Sequence, residues 1–452
     1  MANYHRSSVV LVNFVLCTLL LNLLLISACP AHSAEWTLMV YMNAKNTLEP
    51  YAIGNFYGMA NVGSTQEINV VAELGRPTHH YTNSNEGWSG VRRFLIQKGT
   101  RPVPVEAISD PGQEGQSTDM GSPQALSEFI DWSIARFPAK RYMLIIWNHG
   151  QGWRFQLAPD RALRVAAASR SQTAAESQRL GASMASVPPL NGYRSVSFDE
   201  DSKSTLFNSD IQAVLENRFS SRKLDLIGFD ACLMSMIETA YAFRKAADTM
   251  VASEELEPGE GWQYEVWLQA LVDHPSLDSQ GLAKAIVDSY GKHWGNSFLT
   301  TLSAIDLTHV SQVADSVSVV SRLFEDRIAS QAPIIRAARA KITPYGNDAD
   351  LNTSIDLDYF LEMVGNSTTD ADVLAAVKTT RKQVASMVLA NYASKVDLPL
   401  YGSRGIAFYF PASQADFLSD PYRDGYLKTN STHPVEFVKR EEWADFLASY
   451  LK

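Results

Sequence analysis

The chain has 452 residues, of which 46% are hydrophobic and 19% are charged, a composition that is typical of globular proteins and excludes disorder on the scale of the whole chain. At ~100–200 residues per domain, this length allows roughly two to four domains. Basic residues number 39 and acidic residues 49, which gives a formal net charge of −10. That balance argues against a broad nucleic-acid-binding surface, which needs a basic stripe, and is compatible with cationic peptides as partners.

The chain begins with a segment that is typical of an export signal. Residues 9–28 are almost continuously apolar, and the weakly basic start before them has no acidic residue. The segment ends in Ile26-Ser-Ala-Cys29, which resembles the lipobox of bacterial lipoproteins, where the cysteine is lipidated. The sequence therefore predicts a leader over residues 1–28 and a lipid anchor on Cys29. A plain signal peptide that is cut near Ala31 to Ala34 and an uncleaved membrane anchor remain alternatives.

After the leader, short apolar runs alternate with amphipathic stretches. Several runs are almost entirely apolar, as expected for strands that are covered by helices on both faces. This alternation predicts an α/β sandwich with a mainly parallel sheet. The predicted strands are Trp36–Met42, Ile68–Leu74, Val91–Gln97, Tyr142–Trp147, Leu224–Phe229 and Val251–Glu254. The predicted helices among them are Pro123–Phe137, Ile211–Phe219 and Leu233–Ala247.

Two regions differ from this α/β core, which is predicted to cover residues 35–270. Residues 157–197 are rich in Ala, Ser, Arg and Gln and have no apolar period, which predicts an exposed, mobile insertion; an ordinary surface loop is the alternative. Residues 271–452 are predicted to be mostly helical, with a late strand at 405–410. The helices predicted there are Gly281–Trp294, Val310–Ile328, Ala332–Ala340, Asp356–Val364, Ala371–Tyr392 and Arg440–Leu451.

Two of the predicted strands are followed by residues that can do chemistry. Asn148-His149-Gly150 follows one strand, and Asp230-Ala-Cys232 follows another. Reactive groups collect at the carboxyl ends of parallel strands, and an imidazole within reach of a thiol can produce a nucleophilic thiolate. Cys232 is also predicted to open a helix, whose dipole favours the thiolate. The alternatives are a surface histidine, an aspartate that caps the following helix, and an inert buried thiol.

Three sequence blocks together resemble the clostripain family of cysteine endopeptidases. The blocks are Trp36-Thr-Leu-Met-Val-Tyr-Met42, Leu144-Ile-Ile-Trp-Asn-His-Gly150 and Ile227-Gly-Phe-Asp-Ala-Cys-Leu-Met234. The resemblance implies a caspase-like three-layer sandwich, as in the related gingipains and legumains. It also implies His149 as the catalytic imidazole and Cys232 as the nucleophile, with an oxyanion hole formed by the backbone amides of Gly150 and Cys232.

The same resemblance implies substrate specificity and self-processing. Asp230 would face the P1 side chain of a peptide substrate and select arginine over lysine, because guanidinium can form two hydrogen bonds to a carboxylate. Family members cleave themselves between the histidine and the cysteine, and the insertion lies in that interval. The arginines predicted as processing sites are Arg161, Arg164, Arg170 and Arg179.

The expected protein is therefore an exported cysteine endopeptidase, held at a bacterial cell envelope by lipid or secreted. Its partners are peptides or proteins with Arg or Lys at P1, and no nucleic acid is expected. No cofactor is required for the chemistry, although the resemblance leaves calcium open without a located site. Asp199, Asp201 and Asp210 only faintly resemble an EF-hand loop. An inactive lipid-anchored binding protein and a transpeptidase are the two alternative functions.

One departure from the family pattern occurs close to the first strand. The family usually has Asp-Asn-x-Leu there, whereas this chain has Lys45-Asn-Thr-Leu48. From the sequence, the lost acid is expected to affect a structural contact and no catalytic role.

Overall fold

The computed structural model describes residues 33–82, 87–111, 118–154, 197–346, 353–395, 401–420, 422–431 and 434–452. The strands, in chain order, are β1 (Ala34–Asn43), β2 (Ile68–Arg76), β3 (Gly90–Leu95), β4 (Ala139–Trp147), β5 (Phe198–Asp199), β6 (Ser204–Thr205), β7 (Leu224–Asp230), β8 (Ala247–Ala252), β9 (Thr301–Asp306), β10 (Ser354–Asp356), β11 (Val388–Ala393) and β12 (Ala407–Tyr409). The α-helices are α1 (Glu49–Val62), α2 (Pro123–Arg136), α3 (Asn208–Arg218), α4 (Ile237–Phe243), α5 (Tyr264–Asp273), α6 (Ser279–Trp294), α7 (Val310–Asp326), α8 (Ile328–Arg339), α9 (Leu357–Gly365), α10 (Ala371–Met387), α11 (Gln414–Ser419), α12 (Glu436–Arg440) and α13 (Trp443–Tyr450).

Eight of these strands form one sheet in the order β11-β9-β8-β7-β4-β1-β2-β3. The five strands from β8 to β2 run parallel, and β3, β9 and β11 join antiparallel at the two edges. Helices cover both faces of the sheet. The predicted α/β sandwich with a mainly parallel sheet is confirmed.

Alternating side chains explain why the central strands are apolar throughout. In β1, Leu38 packs into the core that contains Phe56 of α1, whereas Tyr41 points to the opposite face and packs with Phe129 of α2. Successive side chains of a strand point to opposite faces, and here both faces are covered. The strand is therefore buried on both sides, and its ends are the places where polar side chains can be accommodated.

The predicted helix Leu233–Ala247 is wrong over its first turn. Leu233 has a φ of +61°, a left-handed conformation that cannot continue a right-handed helix. The backbone N–H groups of Leu233 and Ser235 instead donate to the carbonyl oxygens of Glu255 and Ser253, at 3.2 and 2.8 Å. Helix α4 therefore begins only at Ile237, because hydrogen bonds to the segment after β8 hold the chain in another conformation.

The predicted helix Ala371–Tyr392 is too long. Helix α10 ends at Met387, and the chain continues as strand β11. β11 pairs antiparallel with β9, which the sequence analysis missed. The region beyond residue 270 thus contributes two strands to the same sheet as the region before it.

Several predicted features lie outside the described residues. They are the leader over residues 1–28, Cys29, and the processing candidates Arg161, Arg164, Arg170 and Arg179. Within the ranges that the structure describes, no helix has the length and apolar character needed to cross a membrane.

Candidate active site

The two predicted site blocks follow neighbouring strands. β4 and β7 pair in parallel, and their last residues, Trp147 and Asp230, are register partners. Just past these ends, the backbone N–H of Asn148 donates to the carbonyl oxygen of Asp230 at 3.3 Å. His149 and Cys232 each lie two residues beyond their strand, so the fold brings both residues to one edge of the sheet.

The glycines after His149 let its loop lie directly against the cysteine loop. A Cβ added to Gly150 would lie 2.4 Å from the carbonyl oxygen of Cys232. Gly152 has a φ of +67°, where a side chain is strained, and a Cβ there would lie 2.3 Å from Met236 Sδ. A side chain at Gly150 would therefore push the two loops apart, and one at Gly152 would displace Met236.

Cys232 is half-buried and lies on a strained turn. Its Sγ accepts a hydrogen bond from the backbone N–H of Glu257 at 3.3 Å. The positive φ of the next residue, Leu233, costs roughly 1–2 kcal/mol for a residue with a Cβ, and such strain concentrates at functional sites. The expectation that Cys232 opens a helix is wrong, because α4 starts at Ile237. A backbone amide, rather than a helix dipole, is the group that stabilises a thiolate at this position.

Two buried carboxyl groups lie close to this turn, and that of Glu257 interacts electrostatically with Cys232 and with Asp230. Asp230 is 5% exposed and Glu257 is 6% exposed. Burial raises the pKa of Asp230 to about 6, although hydrogen bonds to Tyr264 and Glu257 act in the lowering direction. Burial and then the negative charges of Asp230 and Cys232 raise the pKa of Glu257 well above its ordinary value. Two neighbouring buried carboxyl groups disfavour a second negative charge, so these shifts favour a protonated Glu257 beside an ionised Asp230.

Tyr264 and Gly261 hold the Asp230 carboxyl group in place. The Tyr264 hydroxyl donates to Asp230 Oδ2 at 2.8 Å, and a Cβ on Gly261 would lie 2.3 Å from Asp230 Oδ1. The prediction that Asp230 might cap a following helix is wrong, because no helix begins within the next five residues. Its carboxyl group is instead part of the acid pair next to the thiol.

On the other side of the site, side-chain amides fix the backbone at His149. The His149 N–H donates to Asn148 Oδ1 at 2.6 Å. Asn148 Nδ2 donates to the carbonyl oxygens of Asn43 at 2.6 Å and Phe198 at 3.3 Å. The Phe198 carbonyl also accepts from Asn46 Nδ2 at 3.0 Å. The end of β1 and the short strand β5 together hold the segment that carries the imidazole.

The structure thus places His149, Gly150, Asp230 and Cys232 where these two loops meet. Sequence reasoning missed Glu257, which lies in the acidic run Glu254-Glu-Leu-Glu257 after β8. The available signal was the acidic run directly after a strand, but only the pairing of β8 with β7 brings it to the thiol.

A calcium site does not emerge from the described residues. Nowhere in them do three or more His, Cys, Asp or Glu side chains form a group that could hold a metal ion. Asp199 and Asp201, which faintly resemble EF-hand ligands, have other partners: Asp199 pairs with Lys45, and Asp201 accepts from the Thr78 hydroxyl at 2.8 Å.

Two comparisons with known protein sequences find the same family. A sequence model of the clostripain family matches residues 40–167 and 188–450. Clostripain from Hathewaya histolytica is 25% identical over 244 residues, which are 51% of this chain and 40% of that relative. The chain thus spans less than half the length of this curated relative.

Comparison with solved structures gives the same fold. The X-ray structure of an inactive zymogen C11 protease from Parabacteroides distasonis has a TM-score of 0.59 at 17% identity, over 92% of this chain and 98% of that one. A secreted C11 cysteine protease from Bacteroides thetaiotaomicron, solved with an irreversible peptide inhibitor, has a TM-score of 0.55 at 15% identity, over 92% of this chain and 99% of that one. At these identities the likeness shows the fold, and the fold expected from the sequence blocks is confirmed.

Proposed function

The chain belongs to the clostripain family, and we propose that it is an exported cysteine endopeptidase that hydrolyses peptide bonds after arginine and, more slowly, after lysine. One observation carries the proposal. The loop with His149 and Gly150 packs against the carbonyl of Cys232, and Glu257 of the buried acid pair interacts with the same cysteine through its backbone N–H and its carboxyl group. This closeness supports the proposal of a nucleophile, a base and a cation-binding group at one edge of the sheet.

The proposed reaction uses these groups in two steps. His149 takes the proton of the Cys232 thiol, and the thiolate attacks the scissile carbonyl carbon. The backbone amides of Gly150 and Cys232 bind the oxyanion. The tetrahedral intermediate collapses as His149 protonates the leaving amine, which leaves a thioester on Cys232. Water then attacks the thioester and gives a proton to His149, and the sulfur departs as the thiolate.

The acid pair supports the preference for a cationic P1 side chain. With Glu257 protonated and Asp230 ionised, the two carboxyl groups carry a single negative charge, which one guanidinium neutralises on binding. Arginine can donate two parallel hydrogen bonds to a carboxylate, whereas lysine acts as a point charge. Glu257 is therefore proposed as a second specificity residue beside Asp230, and arginine is favoured over lysine.

Export and self-processing extend the proposal. The apolar leader over residues 1–28 favours export, and Cys29 is the proposed lipidation site; one similar protein is described as secreted. Self-cleavage is proposed in the insertion at Arg161, Arg164, Arg170 or Arg179. Cleavage there would leave two fragments joined by the parallel pairing of β4 with β7.

The test is turnover of fluorogenic peptides that end in arginine, lysine or citrulline by the purified mature protein. We expect arginine to exceed lysine, citrulline to be poor, and the Cys232→Ala variant to be inactive. Equal behaviour of the variant and the wild type would contradict the proposal and favour an inactive binding protein. Adding an amine acceptor separates the remaining alternative, because a transpeptidase would give mainly the amide product instead of the free acid.

Intact-mass measurement of the mature protein tests the extensions. A diacylated N-terminal Cys29 would support the lipid anchor, whereas a mass that begins near Ala31 to Ala34 would support a plain signal peptide. Cleavage after an arginine of the insertion, giving two fragments in wild type and none in Cys232→Ala, would support self-processing. An intact chain in active wild type, or the same fragments in Cys232→Ala, would contradict it.

A further inference from the structure

Lys45 is a fully buried lysine close to the imidazole loop. Its Nζ lies 2.9 Å from Asp199 Oδ2, and both side chains have 0% exposure. The same Nζ donates to the Thr118 carbonyl at 3.0 Å. Charges are costly to bury unless they are paired and hydrogen-bonded. Because both charges are removed from solvent, this ion pair is expected to have a structural role.

Asp199 is anchored by more than the lysine. Its Oδ2 also accepts from the Met120 N–H at 3.0 Å, and its Oδ1 accepts from the Ser202 N–H at 3.0 Å. The next residue, Glu200, donates its N–H to the Lys45 carbonyl at 2.9 Å. The ion pair therefore clamps the segment around β5 against the segment that follows β1.

This clamp holds one of the two carbonyl groups that accept from Asn148, the other being that of Asn43. Phe198 directly precedes Asp199, and its carbonyl accepts from the side chains of Asn46 and Asn148. Asn148 in turn accepts the N–H of His149. An unbroken series of contacts thus leads from the Lys45–Asp199 ion pair to the backbone of His149.

We infer that the buried Lys45–Asp199 ion pair is a positioning device for His149. It fixes the Phe198 carbonyl so that Asn148 is held in the orientation that binds the His149 backbone. Lys45 is a positioning residue and not a catalytic one, because it acts through Asn148. The inference rests on the proposed function, since it assigns His149 a task at the thiol.

The test replaces the charge while keeping the stem of the side chain. We expect Lys45→Met to lower kcat by about 10- to 100-fold on an arginine peptide, because displacement of a catalytic group by about 1 Å has effects of this size. The KM should change by less than about twofold, since the acid pair is untouched. Lys45→Arg, which keeps the charge, should restore most of the lost kcat.

Alkylation of Cys232 by iodoacetamide distinguishes positioning from general loosening. At about pH 6 the thiolate depends on a nearby imidazole, whereas at about pH 9 it forms without one. We expect Lys45→Met to slow alkylation at the lower pH by a factor similar to its loss of kcat and to leave the rate at the higher pH unchanged. Wild-type kcat in a folded Lys45→Met variant, or an equal change in alkylation at both pH values, would overturn the inference.

Lys140→Met is the matched control. Lys140 also pairs with a carboxylate, Glu35, but its side chain is 58% exposed and it lies at the opposite end of β4. This variant should retain wild-type kcat and alkylation rates. If the wild type cleaves no arginine or lysine peptide, the proposed function fails by itself, and the alkylation comparison still decides whether Lys45 holds the imidazole near the thiol.

Hydrogen exchange of the wild type keeps the inference testable if Lys45→Met does not fold. The N–H of His149 donates to Asn148, and the N–H of Ser202 donates to Asp199. If the clamp holds both, the two amides should open together and respond equally to low denaturant. A His149 amide that stays protected while the Ser202 amide exchanges freely would overturn the inference.

Discussion

The two halves of the sheet approach the candidate active site with different chemistry. Strands β1 to β4 come from residues 34–147, and His149 follows β4, whereas β7, β8, β9 and β11 come from residues 224–393, and Cys232 follows β7. The boundary between the halves is the pair β4–β7. Side-chain amides bind the segment that carries the imidazole, and a buried ion pair lies next to their partner Phe198, whereas the thiol half holds two carboxyl groups and a tyrosine that donates to one of them.

Changes in the two halves should therefore have different effects, on the position of a group in one half and on the charge of the site in the other. In the imidazole half, side chains of Asn148 and Asn46 bind fixed backbone carbonyls, so a change there displaces a group without altering the net charge of the site. In the thiol half, Asp230 and Glu257 are two buried carboxyl groups that interact electrostatically, so a change there alters which charge the site can accept. Variants in the two halves should therefore fail in different kinetic parameters.

The largest effect should come from removing either member of the proposed catalytic dyad of Cys232 and His149. Cys232→Ala and His149→Ala should each lower kcat by about four orders of magnitude, and the double variant should be no worse, because the two groups act as a unit. His274→Ala, at an exposed histidine after α5, is the control and should match the wild type. Additive losses in the double variant would mean that the halves contribute independently, which contradicts a dyad.

Gly150→Ala tests whether activity requires the close contact between the imidazole loop and the cysteine loop. The new Cβ would meet the Cys232 carbonyl at 2.4 Å, and backbone cannot move aside as a flexible side chain can. We expect kcat to fall by about 100-fold, since displacements near 1 Å have such effects, with a smaller change in KM.

Gly152→Ala is the matched comparison for Gly150→Ala. Its new Cβ would meet the flexible end of Met236 at 2.3 Å, but its φ of +67° adds strain of roughly 1–2 kcal/mol. The variant should therefore lose melting temperature and keep more activity than Gly150→Ala. The reverse order of activities would show that the loop contact at Gly150 is unimportant.

The halves also differ in how much of each could be predicted from sequence. Both strand ends were predictable, because the runs Met143–Trp147 in β4 and Leu226–Phe229 in β7 are apolar and the polar blocks follow them directly. The turn at Cys232 was not, because its apolar neighbours favour a helix locally, whereas hydrogen bonds from Leu233 and Ser235 to the segment after β8 override that preference. Such contacts are invisible until the strand order is known.

The role of Lys45 was unpredictable for the same reason. Its partner Asp199 lies 154 residues away in the sequence, beyond the insertion, and a lone lysine after a strand normally indicates a solvated position. Glu257 belongs to the same class, since its closeness to Cys232 depends on the neighbouring positions of β7 and β8. Sequence patterns predicted the strands that carry the site. They did not predict the contacts between residues distant in sequence that position the imidazole loop and set the charge near the thiol.

Asp230→Asn should affect substrate selection rather than the chemical step. It removes the charge that faces a cationic P1 side chain, and hydrogen bonds to charged groups contribute about 1.5–3 kcal/mol. We expect kcat/KM for arginine peptides to fall roughly 10- to 100-fold, with little change for citrulline peptides, and Glu257→Gln should act in the same direction. Asp225→Asn, at the other end of β7, is the control. An equal loss on both peptides would assign Asp230 to stability or chemistry instead of specificity.

The smallest expected effect is on pH dependence. Burial raises the pKa of Asp230 to about 6, so below that pH both carboxyl groups are protonated and the pair is neutral. As the pH rises through about 6, the pair gains the negative charge that a guanidinium needs. The ratio of kcat/KM for arginine over citrulline peptides should therefore increase severalfold from about pH 5 to about pH 7 and then level off.

The ratio isolates the acid pair from the rest of the site. Titration of His149 and Cys232 changes turnover of both peptides alike, so it cancels in the ratio and leaves the ionisation of the thiol half. In the double variant Asp230→Asn/Glu257→Gln the ratio should be low and independent of pH, because neither carboxyl group remains to titrate. A ratio that rises with pH equally in wild type and in this double variant would place the titrating group elsewhere, and the division into a positioning half and a charge-selecting half would then fail.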